Sequence, residues 1–121
     1  MAQNEMQDIS MQFQQLQQQL SAVLYQKEAM RLHSEEIEGA LKELSSAKSD
    51  VYKAVGAVLI KADVPTLKKE LEEEKETIAV RTKSLDKQEK MVRDQLISIQ
   101  NKLIQSQAAR SGVAIPSSGA K

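Results

Sequence analysis

A chain of 121 residues with 17 basic and 17 acidic side chains has no net field to hold nucleic acid or an anionic membrane surface, so the expected partner is protein. The absence of cysteine removes disulfides, thiol nucleophiles and thiolate metal sites and suits a reducing cytosol, while one Phe, two Tyr and no Trp leave little bulk for an ordinary compact core. The start, Met1-Ala2-Gln3-Asn4-Glu5, has no basic region leading into an apolar one, and no window approaches the ~18 apolar residues of a membrane span, so a cytoplasmic location is expected.

The first predicted element is a helix over about residues 5–46. Its seam residues, apolar except for Lys27 and Ser34, alternate in steps of four and three: Ile9, Phe13, Leu16, Leu20, Val23, then Lys27, Met30, Ser34, Ile37, Leu41 and Leu44. That is a coiled-coil heptad in which Ile9 takes a d position and every later d is apolar, whereas the a series includes Lys27 and Ser34. At about 1.5 Å per residue the segment 9–44 would make a helix about 54 Å long, too long for a compact domain of this size. Around Phe13, Leu16 and Leu20 the intervening residues are mostly Gln, an uncharged helix face rather than a low-complexity tract, because the apolar interruptions keep heptad spacing. Met1, Met6, Met11 and Met30 fall in the same part of the chain, and thioethers adapt to irregular apolar partners.

Ser45 to Asp50 reads as a break. Residues 51–62 then read as a β-hairpin of two short β-branched strands turning at Gly56. The second strand is apolar on both faces, with Val58 and Ile60 on one side and Leu59 on the other. A lone two-stranded hairpin is marginal in water and leaves open edges, so assembly through other subunits is expected here.

A second helix is expected over about 64–109. Asp63 is placed to cap it, with Pro65 in its first turn, and the acidic residues Glu70, Glu72, Glu73 and Glu74 are expected to serve the positive end of its dipole. Its heptads run through Leu71, Ile78, Leu85, Val92 and Ile99 in one series and Lys75, Thr82, Glu89, Leu96 and Leu103 in the other. The tail 111–121, rich in Gly, Pro and Ser without periodicity, is expected to be disordered.

If the chain folds back near Gly56, facing residues have positions with a constant sum. Lys27 with Glu89, Ser34 with Thr82, Leu20 with Leu96 and Phe13 with Leu103 share one total, and Met30 with Leu85, Val23 with Val92 and Leu16 with Ile99 share its neighbour. Polar falls opposite polar, a device that fixes register at some cost in stability. The expected fold is mainly α: a long antiparallel coiled-coil hairpin with a short β-hairpin at its hinge, the hinge joining an oligomeric β-barrel platform.

No constellation for chemistry emerges. His33 is the only histidine and reads as a solvated flank residue, no His and carboxylate cluster has metal-ligand spacing, and the four glycines are scattered rather than gathered in a phosphate loop. No catalytic residue, cofactor or metal is expected, and an enzyme is not.

The hairpin Val51-Tyr52-Lys53-Ala54-Val55-Gly56 with Val58-Leu59-Ile60-Lys61, set between two long helices, the second containing Leu85-Asp86-Lys87-Gln88-Glu89, resembles the β subunit of archaeal prefoldin and its eukaryotic β-class relatives over roughly Glu5 to Arg110. The resemblance implies a hexamer of two α and four β subunits, whose hairpins build a double β-barrel from which six coiled coils project. It implies an ATP-independent molecular chaperone that holds unfolded client proteins between the coil tips and delivers them to a group II chaperonin, with no nucleic acid and no membrane involved. The residues matching the client-contacting ends are Met6, Ile9, Met11, Phe13, Leu103, Ile104 and Ala108; those matching the oligomerising hairpin are Val51, Tyr52, Val55, Gly56, Val58, Leu59 and Ile60. The alternative is a coiled-coil scaffold or oligomerisation module without a client.

Overall fold

A computed structural model describes the backbone of residues 3–111 and the side chains of residues 4–107. The expected tail lies outside the described residues, apart from Ser111, the last residue of a helix. The fold is mainly helical: α1 (Gln3–Ser45), β1 (Val51–Val55), β2 (Val58–Ala62) and α2 (Val64–Ser111) follow one another in chain order.

Local chemistry explains where these elements stop and start. At the end of α1 the hydroxyl of Ser45 donates to the carbonyl of Leu41 at 3.0 Å and that of Ser46 to Glu43 at 3.3 Å, while the backbone N–H groups of Ser46 and Ala47 donate to Glu43 and Leu44 in a tighter last turn. At the start of α2, Asp63 accepts from the backbone N–H of Thr66 at 3.1 Å and from its hydroxyl at 2.8 Å, which makes Asp63 the N-cap. The acidic run does not serve the helix dipole. The first turn of α2 holds no acidic residue, and the dipole's influence fades within that turn. Glu70 instead receives Lys53 of β1 at 3.1 Å, and Glu74 lies 3.1 Å from the His33 ring nitrogen Nε2 on α1.

The chain forms two compact units, one containing Met1–Tyr25 with Lys87–Lys121 and the other Gln26–Asp86. In the first, here the terminal unit, Val23, Val92 and Ile99 are buried and Met6, Ile9, Phe13, Leu16, Leu20, Leu96 and Leu103 half-buried. The seam continues past Leu103 to Ser106, which is buried. In the second, the hairpin unit, Ile37, Leu44, Ile78 and Leu85 are buried, flanked by half-buried Met30, Leu41, Leu67 and Leu71. The steps of three and four read from the sequence therefore reappear as steps of burial. No described side chain is fully buried, as expected of a seam one residue thick.

The hairpin unit shows the antiparallel sense directly. Lys27 Nζ stands 2.8 Å from Asp86 and Lys75 Nζ 2.5 Å from Glu38, so positions fall on α2 as they rise on α1. Both lysines occupy a positions, and each reaches an acid on the opposing helix at an e position, beside the seam rather than across it. An ammonium that would be costly between methyl groups thereby stays at the edge, its stem covering the seam. Glu89 accepts from Arg93 Nε of its own helix at 2.8 Å.

Candidate interaction surfaces

The hairpin is built around Gly56. Val55 pairs with Val58, leaving Gly56 and Ala57 as a two-residue loop, and Gly56 has φ of 60° while no other described residue is at positive φ. Glycine first in a two-residue loop is the pattern of a type II′ turn, whose twist matches that of the flanking strands. The register, Val51 with Ala62, Lys53 with Ile60 and Val55 with Val58, puts these six on one face; Tyr52 with Lys61 and Ala54 with Leu59 make the other. Both faces meet solvent. Leu59 is 70% exposed, and Tyr52, Val55, Val58 and Ile60 are exposed as well; Val51 is half-buried. Each strand pairs only with the other among the described residues, so each keeps an open edge. Covering a Val, Leu or Ile side chain fully is worth about 1.5–3 kcal/mol, so this two-faced patch favours association strongly. Lys53 with Glu70 and Lys61 with Asp50 tie its charged flanks to neighbouring segments of the same unit.

The terminal unit holds the second set of expected site residues. Met6, Ile9, Phe13 and Leu103 are half-buried seam residues, each with part of its surface in solvent. Met11 and Ile104 lie off the seam and are 57% and 48% exposed. Met6 and Met11 share a shallow groove of about 440 Å³ with Gln7, Ser10 and Gln14, and Phe13 lines another of about 450 Å³ with Leu20 and Leu96. The side chain of Ala108 lies outside the described residues.

A larger open groove, about 770 Å³, was not anticipated from the sequence. Leu16 and Val23 of α1 and Val92 and Ile99 of α2 form its floor, and glutamines rim it on both sides. The signal was present in the heptads. The floor residues are all d positions, and the rim residues Gln12, Gln19, Gln88 and Gln95 are all g positions.

Ion pairs occur in both units. In the hairpin unit, besides the pairs already named, Arg31 binds both Glu28 and Glu35 on its own helix, and its hydrogen bond holds the Glu28 carboxyl below the usual carboxylate range. His33 is half-buried against Glu74 rather than a freely solvated flank residue. No group of three or more His, Cys, Asp or Glu is placed to hold a metal among the described residues, and no described helix is long and apolar enough to cross a membrane.

Comparison with known proteins decides what kind of molecule carries these surfaces. Residues 7–110 match the prefoldin subunit family. The chain belongs to that family. It is 41% identical to prefoldin subunit beta of Archaeoglobus fulgidus over 101 residues, 82% of this chain and 87% of that one. To prefoldin subunit beta of Sulfurisphaera tokodaii it is 38% identical over 116 residues, covering 92% and 93% of the two chains. The crystal structure of the prefoldin beta subunit from Thermococcus strain KS-1 superposes with a TM-score of 0.74 at 31% identity, covering 93% of this chain and 95% of that one. Prefoldin subunits are chaperone subunits, and the long helices with a single short hairpin are those of the beta class. The exposed hairpin and the half-covered seam are thus features of a prefoldin subunit.

Proposed function

We propose that this chain is the β subunit of an ATP-independent cytoplasmic chaperone, a hexamer of two α and four β subunits. It captures unfolded proteins at its coiled-coil tips and passes them to a group II chaperonin. The observation that carries the reading is the pairing of family membership over residues 7–110 with a terminal unit whose seam is only half covered. Near the helix ends Met6, Ile9, Phe13 and Leu103 are only half-buried and offer modest apolar strips, extended by Met11 and Ile104. Ala108 follows in the same helix. Each strip binds weakly, and several in one assembly act together through effective concentration, which allows capture without nucleotide and release to a competing chaperonin. The hairpin residues Val51, Tyr52, Val55, Val58, Leu59 and Ile60, shaped by Gly56, supply the joint to the β-barrel platform.

The test separates platform from tips. Mixed with an α-class partner, the chain carrying Val58→Asp and Ile60→Asp should no longer sediment as a hexamer. Removing Met1 to Gln12 together with Leu103 to Lys121 should leave the hexamer intact and reduce suppression of aggregation of guanidinium-unfolded, reduced lysozyme. A truncated hexamer of correct size and helicity that still suppresses aggregation fully would move client binding away from the tips. A full-length hexamer that never suppresses it would favour a scaffold without a client.

A further inference from the structure

Heptad periodicity aligns two helices only to within a heptad. Sliding one helix by seven residues, about 10.5 Å, lays apolar positions on apolar positions again, so a seam alone leaves neighbouring registers close in energy. The connections leave room for such a slide on one side. β2 runs into α2 through Asp63 alone, whereas residues 46–50 join α1 to β1 and can span up to about 16 Å when extended.

Charges beside the seam break this degeneracy. Lys27 reaches Asp86 and, reciprocally, Lys75 reaches Glu38. The step from Lys27 to Glu38 on α1 equals that from Lys75 to Asp86 on α2, so the two pairs are related by an approximate two-fold axis across the coil. A neighbouring e position on each helix carries the opposite charge: Arg93 follows Asp86 on α2, and Arg31 precedes Glu38 on α1. If α1 slides one heptad away from the hairpin, Lys27 comes beside Arg93 and Lys75 beside Ser45. If it slides one heptad the other way, Lys75 comes beside Arg31 and Lys27 beside Ala79. In either direction both ion pairs are lost and one lysine meets a guanidinium. In the observed register the arginines are occupied by acids of their own helices, Arg31 by Glu28 and Glu35 and Arg93 by Glu89. A lysine arriving there finds those acids already taken.

We propose that Lys27, Glu38, Lys75 and Asp86, with Arg31 and Arg93 as the opposing charges, form a register code that admits one alignment of α1 with α2 and penalises the next one in both directions. Such pairs are weak singly, and their use here is discrimination, since the difference between registers counts two attractions lost and one repulsion gained. The alignment bears on function through the chaperone reading above, on which this consequence alone rests. A one-heptad slide would carry Met6, Ile9 and Phe13 about 10.5 Å along the coil relative to Leu103 and so displace the two halves of the apolar strip.

The chain has no cysteine, so Ala29→Cys with Lys69→Cys, both at exposed positions, accept spin labels without further change. Pulsed dipolar spectroscopy on the full chain, diluted with unlabelled chain, then reads one distance within the hairpin unit. The native charges should give a single distance. Inverting only the reciprocal pairs, with Lys27→Asp, Glu38→Lys, Lys75→Asp and Asp86→Lys, keeps both attractions in the observed register but makes Arg31 and Arg93 attractive in the displaced ones. A second distance, shifted by roughly 10 Å and holding about a tenth of the molecules, should appear. Adding Arg31→Gln and Arg93→Gln should remove it. If the fourfold variant loses helicity by circular dichroism, Lys27→Asp with Asp86→Lys alone carries the same test for the Arg93 direction. A single unchanged distance in the helical inverted variant overturns the code, and so does a second distance that survives loss of both arginines. The distance is read without any client, so failure here leaves the chaperone reading to the lysozyme experiment.

Discussion

Lys27 and Lys75 show how single residues manage a polar interruption in an apolar seam. Each sits at an a position, and each is drawn to an acid at the flank of the opposing helix, Asp86 and Glu38. The Lys27 side chain is 30% exposed and Asp86 more so, which places their pair among partly solvated ion pairs. Such pairs contribute ~0–1 kcal/mol. A double-mutant cycle with Lys27→Ala and Asp86→Ala, followed by urea unfolding, should return a coupling energy in that range that shrinks in 1 M salt. A coupling of several kcal/mol would mean a desolvated pair and a different register.

At the scale of elements, the hairpin depends on one backbone conformation. Gly56 has φ of 60°, and a Cβ built there would meet nothing within 4 Å, so a substitution suffers from backbone strain and not from crowding. Gly56→Ala should cost about 1–2 kcal/mol, seen as a lower unfolding midpoint and weaker assembly with an otherwise unchanged helix content. The seam of both helices was legible in the sequence because a step pattern of three and four admits one geometry, and the burial of Ile37, Leu44, Ile78 and Leu85 follows it. Asp63 as a cap was legible for the same local reason. The task of Glu70 and Glu74 was not, since composition near a helix start resembles a dipole effect, whereas their partners Lys53 and His33 come from distant sequence. The large groove escaped notice because its c positions, Gln15, Met91 and Ser98, look like ordinary solvent-facing residues until the two helices are laid side by side.

For the whole molecule, the apolar surface that most needs cover belongs to the hairpin, where Leu59 and its neighbours lie open on both faces. Association that covers this surface in the folded state alone adds stability by mass action. The apparent Tm of the isolated chain should therefore rise with protein concentration, and rise further with an α-class partner, in a calorimetric series. The Val58→Asp and Ile60→Asp chain should show a flat, lower Tm across the same series. Concentration independence in the unaltered chain would place the stabilising contacts within one subunit.

The thin seam has a consequence for how such a chain tolerates change. In a globule with a deep centre, one poor substitution at a fully enclosed position disturbs neighbours on every side. Here no described side chain is fully enclosed, so each layer answers mainly to the one before and the one after it. Damage should remain local and accumulate layer by layer, much as in other quasi-one-dimensional proteins. Relatives can then drift at the surface and through much of the seam while keeping the three-and-four rhythm. The places least free to drift are those where rhythm alone does not suffice: the glycine of the turn, and the two lysines that must each find an acid on the opposing helix.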